Sequence, residues 1–295
     1  MPSTTTNGIT IEYETTGDPA DPALLLVMGL GAQLIAWPIE LRDALAARGY
    51  FVIAHDNRDV GRSTKFDDGP RPDVAAAFTG DFSSAAYTLS DMAADAVGLL
   101  DALGIDAAHI VGASMGGMIV QTMAIEHPDR VLSLCSIMSM TGADDVGTPS
   151  AEALQVLLKP PASTREEAIA NSVEASRVVG SAGFPFDEPR IRQRAEASYD
   201  RCFHPRGIAR QLVAIRASGD RTEKLGQLDV PTLVVHGDID PLVTLSGGEA
   251  TAKAIPGADL MVIEGMGHDL PEALWPRLVD AIAANAAKAG APTIP

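Results

Sequence analysis

A serine set among small residues is the first feature of this chain that could do chemistry. Gly112-Ala113-Ser114-Met115-Gly116 has the spacing G-x-S-x-G, with the buried-strand pattern His109-Ile110-Val111 before it and a helical pattern, Met115 to Glu126, after it. In that context the chain turns sharply from strand to helix and leaves Ser114 exposed at the carboxyl end of the sheet. Gly112, Gly116 and Gly117 let the backbones pass closely. The Met115 amide, at the helix N-terminus, then faces whatever bonds to the serine. A serine hydroxyl is a weak nucleophile, so the arrangement calls for a base within hydrogen-bond reach and a third group to orient that base.

Behind a serine of this kind the chain order is serine, acid, histidine, each on a loop after a later strand. Six histidines compete. His55 follows an early strand, His109 opens a strand before the serine, and His127 sits at a helix end beside Pro128; these read as structural or solvated. His204 falls in a helical stretch where it would face substrate rather than act as base, and His236 precedes the acid. His268, in the glycine-flanked loop Glu264-Gly265-Met266-Gly267-His268 after the last strand, has the required place. For the acid, His236-Gly237-Asp238-Ile239-Asp240-Pro241 offers two carboxylates. Asp240 lies far enough along the loop to reach His268 and is favoured; Asp238, nearer the strand, suits hydrogen bonds to turn amides. Asp269, adjacent to His268, points elsewhere by local geometry. A second amide donor for a developing oxyanion belongs on the loop after the first buried strand, Met28-Gly29-Leu30-Gly31, where the Leu30 N–H can turn toward Ser114. Arg58, between Asp56 and Asp59, reads as a buried ion pair or a turn bracing the sheet rather than as a substrate clamp.

These loops need a scaffold. Asn7-Gly8 between Thr4-Thr5-Thr6 and the alternating Ile9 to Glu14 predicts a hairpin at an antiparallel edge. Ala23 to Met28 and Tyr50 to Ala54 are continuously apolar, as strands buried on both faces are. A helical pattern runs between them from Leu34 to Arg48, and Thr88 with Asp91 makes a capping box for a helix through Leu103. Strands His109 to Val111 and Val131 to Met138 follow, and alternating strands and helices of these lengths predict a doubly wound, mostly parallel α/β sheet. From Thr141 to Ser218 buried strands give way to helical patterns at Ala151–Lys159, Arg165–Val179, Pro189–Arg201 and Arg206–Ala217. The expectation is therefore a core of residues 1–140 and 219–295 with a helical cap, 141–218, inserted late in the chain. Strands return at Thr232–Val235 and Leu260–Ile263, a last helix runs from Glu272 to Lys288, and the tail from Ala289 to Pro295 is expected to fray.

Composition narrows the partners. The 295 residues carry 22 Lys+Arg against 39 Asp+Glu, a net charge of −17, which excludes a phosphate-binding nucleic-acid clamp. With 46% apolar and 21% charged residues the chain is an ordinary globular one, and disorder is excluded. Its apolar runs break well short of the roughly 20 residues that span a bilayer, so no integral membrane segment is expected. The N-terminal residues show neither a basic n-region nor an apolar h-region, and a cytoplasmic location is the default expectation. Two cysteines, Cys135 and Cys202, make no disulfide framework. There is no H-E-x-x-H, no zinc-spaced cysteine set, no Walker loop and no strand-linked G-x-G-x-x-G, so neither a metal nor a nucleotide cofactor is expected.

Taken together, Leu25-Leu26-Val27-Met28-Gly29, Asp56 to Ser63, the Ser114 elbow, Val230-Pro231-Thr232-Leu233 with His236-Gly237, and Gly265-Met266-Gly267-His268 resemble the α/β-hydrolase superfamily, in the esterase and lipase-like branch that includes aclacinomycin methylesterase. The resemblance implies Ser114 as nucleophile, Asp240 as orienting acid, His268 as base, and Leu30 and Met115 as oxyanion donors. Many relatives have His-Gly where this chain has Met28-Gly29; the methylesterase-like branch shares the Met. The change, like a serine where other branches place Asp, argues against epoxide hydrolases and dehalogenases. The expected function is cofactor-free hydrolysis of a small-molecule carboxylic ester through an acyl-enzyme. The apolar cap residues Leu154, Leu157, Leu158, Phe184, Phe186, Leu212 and Ile215 suggest a greasy or polyketide-like acyl group, with about half of them holding the cap together. Carbon–carbon bond hydrolysis or perhydrolysis by the same triad, and ligand reception on a hydrolase scaffold, are the alternatives.

Overall fold

The computed structural model describes residues 2–290. Eight strands form one sheet: β1 (Ser3–Thr6), β2 (Ile9–Thr16), β3 (Ala23–Val27), β4 (Phe51–His55), β5 (Ala108–Ala113), β6 (Val131–Ile137), β7 (Thr232–Gly237) and β8 (Asp259–Ile263). Their order is β1-β2-β4-β3-β5-β6-β7-β8. The β1–β2 and β2–β4 pairs are antiparallel, and all the others are parallel. The hairpin turns where expected, at Asn7 (φ 49°) and Gly8 (φ 75°), the left-handed pair a tight two-residue loop needs. From β3 the chain winds one way to β4 and the other way to β5 and β6. The crevice at the carboxyl ends of β3 and β5 is therefore the switch point where open α/β sheets bind ligands.

The helices are α1 (Ile39–Ala46), α2 (Val74–Phe78), α3 (Leu89–Ala102), α4 (Met115–Glu126), α5 (Ala151–Leu157), α6 (Arg165–Val179), α7 (Glu188–Arg201), α8 (Pro205–Ser218), α9 (Thr222–Leu225), α10 (Leu245–Ala254) and α11 (Trp275–Ala287). Leu25 of β3 packs with α3 and α4 on one face of the sheet, and Leu24 and Leu26 pack with α1 and α11 on the other. All three leucines are fully buried, each contributing about 1.5–3 kcal/mol of transfer free energy. Thr88 and Asp91 close the capping box at the start of α3. None of the described helices is long and apolar enough to cross a membrane. Between β6 and β7 the chain makes the five helices α5 to α9 and no strand. Of the tail expected to fray, residues 291–295 lie outside the described residues.

Two helical expectations shift for local reasons. The Leu34 to Arg48 pattern divides into a single 3-10 turn, Leu34–Ala36, and α1. Pro38 excludes the residue before it from helical backbone, and Trp37 is accordingly extended (ψ 100°). Helix α10, for which the sequence pattern gives no element, carries Gly247-Gly248 within it. The packing needs those glycines: a Cβ on Gly248 would stand 2.5 Å from His236 Nδ1.

The loop after β4 carries three buried ion pairs, with partners the sequence does not place. Arg58 bonds Asp95 of α3 through Nε at 2.6 Å and Nη2 at 2.7 Å, and its guanidinium lies over the Phe66 and Tyr87 rings. Its neighbours Asp56 and Asp59 turn away, to Arg201 of α7 (2.6 Å) and Arg210 of α8 (2.7 and 2.8 Å). Asp59 has φ 71°, and that left-handed residue sends successive side chains in different directions. Burial by itself would raise the Asp59 carboxyl, but hydrogen bonds from Arg210, Tyr87 and the Phe66 amide outweigh it and hold the group below its ordinary value. The stability this contributes is present above the ordinary carboxylate range and is lost as pH falls through the depressed value. Both side chains of the Asp59–Arg210 pair are fully buried. Asp59→Asn therefore takes the close carboxylate from a buried guanidinium and leaves it the longer contact to exposed Asp67 (3.2 Å), and urea denaturation at neutral pH should show a loss of about 3 kcal/mol. A loss under about 1 kcal/mol would mean that the pair is solvated.

Candidate active site

Ser114 stands between β5 and α4 with φ 57° and ψ −121°, a backbone conformation that costs a non-glycine residue about 1–3 kcal/mol. The surrounding glycines make the turn possible. A Cβ on Gly112 would come within 2.1 Å of the Gly116 carbonyl oxygen, and one on Gly116 within 2.1 Å of the Val27 oxygen. Helix α4 can thus start hard against β3 and β5. The turn is held from below as Ser139 Oγ donates to the Ser114 carbonyl (2.8 Å) and the Ser114 amide donates to the Ile137 carbonyl (2.9 Å).

Ser114 Oγ lies 2.9 Å from His268 Nε2, and His268 Nδ1 lies 2.7 Å from Asp240 Oδ2. Residues 154 and 28 positions apart in sequence thereby form one hydrogen-bonded chain at the carboxyl edge of the sheet. Asp240 follows β7, and its other oxygen, Oδ1, accepts the amides of Leu242 (2.9 Å) and Val243 (3.0 Å). The carboxylate is therefore fixed at both oxygens. Asp238 instead accepts the Gly265 amide at 2.7 Å, tying the loop after β7 to the loop after β8. Turn amides thus bond both aspartates, and Asp240 alone also reaches the histidine.

The other histidines have different partners. His109 Nδ1 is 2.9 Å from Ser133 Oγ, and His55 is buried with neither ring nitrogen hydrogen-bonded. His236 Nε2 donates to the Val243 carbonyl (2.7 Å), although Asp240 is only 3.7 Å away. Burial pulls His236 below the ordinary imidazole range, so near neutral pH it remains uncharged and leaves Asp240 to His268. His204 lines a side chamber of about 200 Å³ next to Asp59 and Tyr199.

The His268 loop is braced from outside the core. Its amide donates to the Val179 carbonyl (2.6 Å) at the end of α6, the Gly267 amide to Ser181 Oγ (2.9 Å), and the Ser181 amide to Asp269 (3.0 Å). Asp269 is occupied there and does not compete for His268. On the opposite side Gly29 presses against the serine, where a Cβ would lie 3.0 Å from Ser114 Cβ. The next amide, that of Leu30, makes no hydrogen bond among the described residues, and Met115 offers the unpaired N–H of a first helical residue.

Ser114, His268 and Leu30 open onto a cavity of about 1410 Å³, above the roughly 300–1,000 Å³ of ordinary small-molecule sites. Its far wall comes from α5, α6, α7 and the segment between α6 and α7. Of the seven apolar residues singled out above, Leu157, Phe184 and Phe186 line it. Leu154, Leu158, Leu212 and Ile215 do not, and Ile215 packs against the core. Among the described residues no group of three or more His, Cys, Asp or Glu could hold a metal ion. Pattern reading missed two buried glutamines, Gln33 and Gln211, which bind the Leu30 loop to α7 and α8. The available signal was weak: a polar pair, Arg210-Gln211, in a stretch of helix that also buries Leu212, Val213 and Ala214 and so is covered all round.

The family model described as the alpha/beta hydrolase fold matches residues 22–272. The chain belongs to this family. It is similar to rhodomycin D methylesterase DauP of Streptomyces sp. (strain C5), 34% identical with 95% of this chain and 96% of that protein covered. It is also similar to rhodomycin D methylesterase DnrP of Streptomyces peucetius, 33% identical over the same shares. Among solved structures, a thermophilic esterase from Thermogutta terrifontis aligns with a TM-score of 0.71 at 26% identity, covering 98% of this chain and 97% of that one. A meta-cleavage product hydrolase from Pseudomonas fluorescens IP01 aligns at 0.78 with 22% identity, covering 98% of each, and shares the fold.

Proposed function

We propose that this α/β hydrolase is a carboxylic ester hydrolase in which Ser114 is the nucleophile, His268 the base and Asp240 the group that orients it. The observation that carries the reading is the hydrogen-bonded chain from Asp240 through His268 to a strained, half-buried serine beside two amides that have no hydrogen-bond partner among the described residues. Ser114 Oγ attacks the ester carbonyl carbon as its proton passes to His268 Nε2, and the Nδ1–H donates to Asp240 throughout. Charge gathers on the carbonyl oxygen, which accepts hydrogen bonds from the Leu30 and Met115 N–H groups already in place. The intermediate expels its alcohol, protonated by His268, and leaves an acyl-enzyme. Water, deprotonated by His268, then releases the acid and restores the serine.

Helices α5 to α8, residues 141–218, serve in this reading as a lid that supplies most of the cavity wall. The likeness to two methylesterases and the apolar residues Leu157, Phe184 and Phe186 support a methyl ester of a bulky, polyketide-like acyl group as substrate. The size of the cavity supports the same choice. The two free cysteines suit a cytoplasmic setting.

A panel of p-nitrophenyl esters of increasing chain length, together with a fluorophosphonate probe, tests the reading. Short to medium esters should be hydrolysed with multiple turnovers, and mass spectrometry of a digest should find the phosphonyl adduct on the peptide containing Ser114. An adduct elsewhere, or activity that survives the probe, would sink the assignment. Stoichiometric binding without turnover would leave a receptor on a hydrolase scaffold.

A further inference from the structure

The loop that carries the Leu30 amide has little stiffness of its own. It reads Met28-Gly29-Leu30-Gly31, and Gly31 has φ 68°. An oxyanion donor is useful only if it is already aimed when charge develops, so something else must fix this loop. Gln211 of α8 is fully buried and is bonded at both ends of its side-chain amide. Its Nε2 donates to the Arg58 carbonyl at 2.8 Å, and its Oε1 accepts the Gly31 N–H at 2.9 Å. The first bond settles the orientation of the group, because only a nitrogen can donate to a carbonyl, and it leaves the oxygen facing Gly31. Arg58 is itself locked to Asp95 on α3, so Gln211 joins a fixed point of the core to the glycine-bearing loop.

Engaging the Gly31 amide has a consequence for its neighbour. With that N–H committed to Gln211, the Leu30 N–H is the one of the two adjacent amides left open, with no hydrogen-bond partner among the described residues. Ile208, one turn earlier on α8, closes on the same glycine, where a Cβ would stand 3.0 Å from Ile208 Cγ1. On the far side of the loop Gln33 Nε2 donates to the Ser198 and Cys202 carbonyls at 2.8 and 2.9 Å. We propose that Gln211 is a positioning residue for ester hydrolysis, holding the Gly29–Gly31 loop through the Gly31 amide so that the Leu30 N–H meets the oxyanion. The proposal rests on the serine-hydrolase reading above and adds to it that a helix of the inserted segment completes the oxyanion site.

The test compares Gln211→Met, which keeps the unbranched shape and removes both bonds, with Gln211→Glu, which keeps an acceptor for Gly31. Ile215→Ala, on the same helix but away from the loop, reports what a purely structural loss does. Each variant is measured for kcat and KM on a p-nitrophenyl ester, for affinity toward a trifluoromethyl ketone that forms an oxyanion on the serine, and for Tm. Gln211→Met should lower kcat by on the order of 10²–10³ and weaken the ketone in proportion, with KM changed by less than about threefold. Gln211→Glu should recover at least about tenfold of that loss, and Ile215→Ala should lower Tm while leaving kcat and ketone affinity near the parent values. Should Gln211→Met not fold, Gln211→Asn, one methylene too short to reach Gly31, should show the same paired loss of kcat and ketone affinity. A lower Tm with kcat and ketone affinity unchanged, or an effect confined to KM, would reduce Gln211 to a packing residue. Absence of a fluorophosphonate adduct on Ser114 in the parent protein would remove the serine-hydrolase reading first, and the role of Gln211 with it.

Discussion

Ser114→Ala should remove ester turnover almost completely, with kcat down by on the order of 10⁶, and His268→Ala should cost about as much. The two side chains act as one unit. Without the hydroxyl no bond forms to the carbonyl carbon, and without the imidazole the hydroxyl keeps its proton. The double variant should therefore be hardly slower than either single one, a departure from additivity that independent sites would not show. Tm should change little in Ser114→Ala, since the elbow is built from the close approach of Gly112, Gly116 and Val27 rather than from the hydroxyl. Stopped-flow acylation of a p-nitrophenyl ester measures both the loss and its non-additivity. A Ser114→Ala protein that keeps more than about one-hundredth of the parent kcat would move the nucleophile to another residue.

Asp240→Asn should cut kcat by on the order of 10⁴ and leave the fold intact. Asparagine can still accept the Leu242 and Val243 amides through its oxygen, so the turn after β7 survives. Toward His268 it presents an NH₂ group in place of a carboxylate oxygen, which favours the wrong tautomer and withdraws the charge that steadies the imidazolium. His236 does not substitute for the loss: its Nε2 is bonded to the Val243 carbonyl and burial keeps it neutral. Asp238→Asn should cost little in rate, since among the described residues the Asp238 carboxylate bonds the Gly265 amide and not His268. Its effect should be a destabilisation of about 1 kcal/mol in urea denaturation as the two loops loosen. If the ranking is reversed, Asp238 is the orienting acid. Small, equal losses would mean that the acid comes from another strand.

The sequence by itself was enough to determine the local events. A buried strand, a glycine-spaced turn and an apolar helix around Ser114 specify an elbow because each of its requirements, close backbone approach and a left-handed serine, falls on residues within five positions of one another. The hairpin at Asn7-Gly8, the capping box at Thr88 and Asp91, and the bounds of α4 and α6 are legible for the same reason. Helix α1 began late and α10 went unread where proline and glycine carry packing roles that a local pattern cannot distinguish from a break.

Tertiary structure decided the pairing of distant groups. Arg58 could be seen as a buried cation, but its choice of Asp95 over the adjacent Asp56 and Asp59 depends on the left-handed turn at Asp59 and on where α3 packs. Asp240 and Asp238 are two residues apart and chemically identical; which one meets His268 depends on how the loops after β7 and β8 cross, which Gly265 and Gly267 permit by passing against Gly183 and Gly180. Gln211 lies 180 positions from Gly31 and belongs to no motif, because a glutamine on a helix has no local signature of its partner. Local spacing encodes where a nucleophile can stand. Which amides and carboxylates reach it is fixed by side-chain geometry across the sheet edge, where displacements of about an ångström make or break a hydrogen bond.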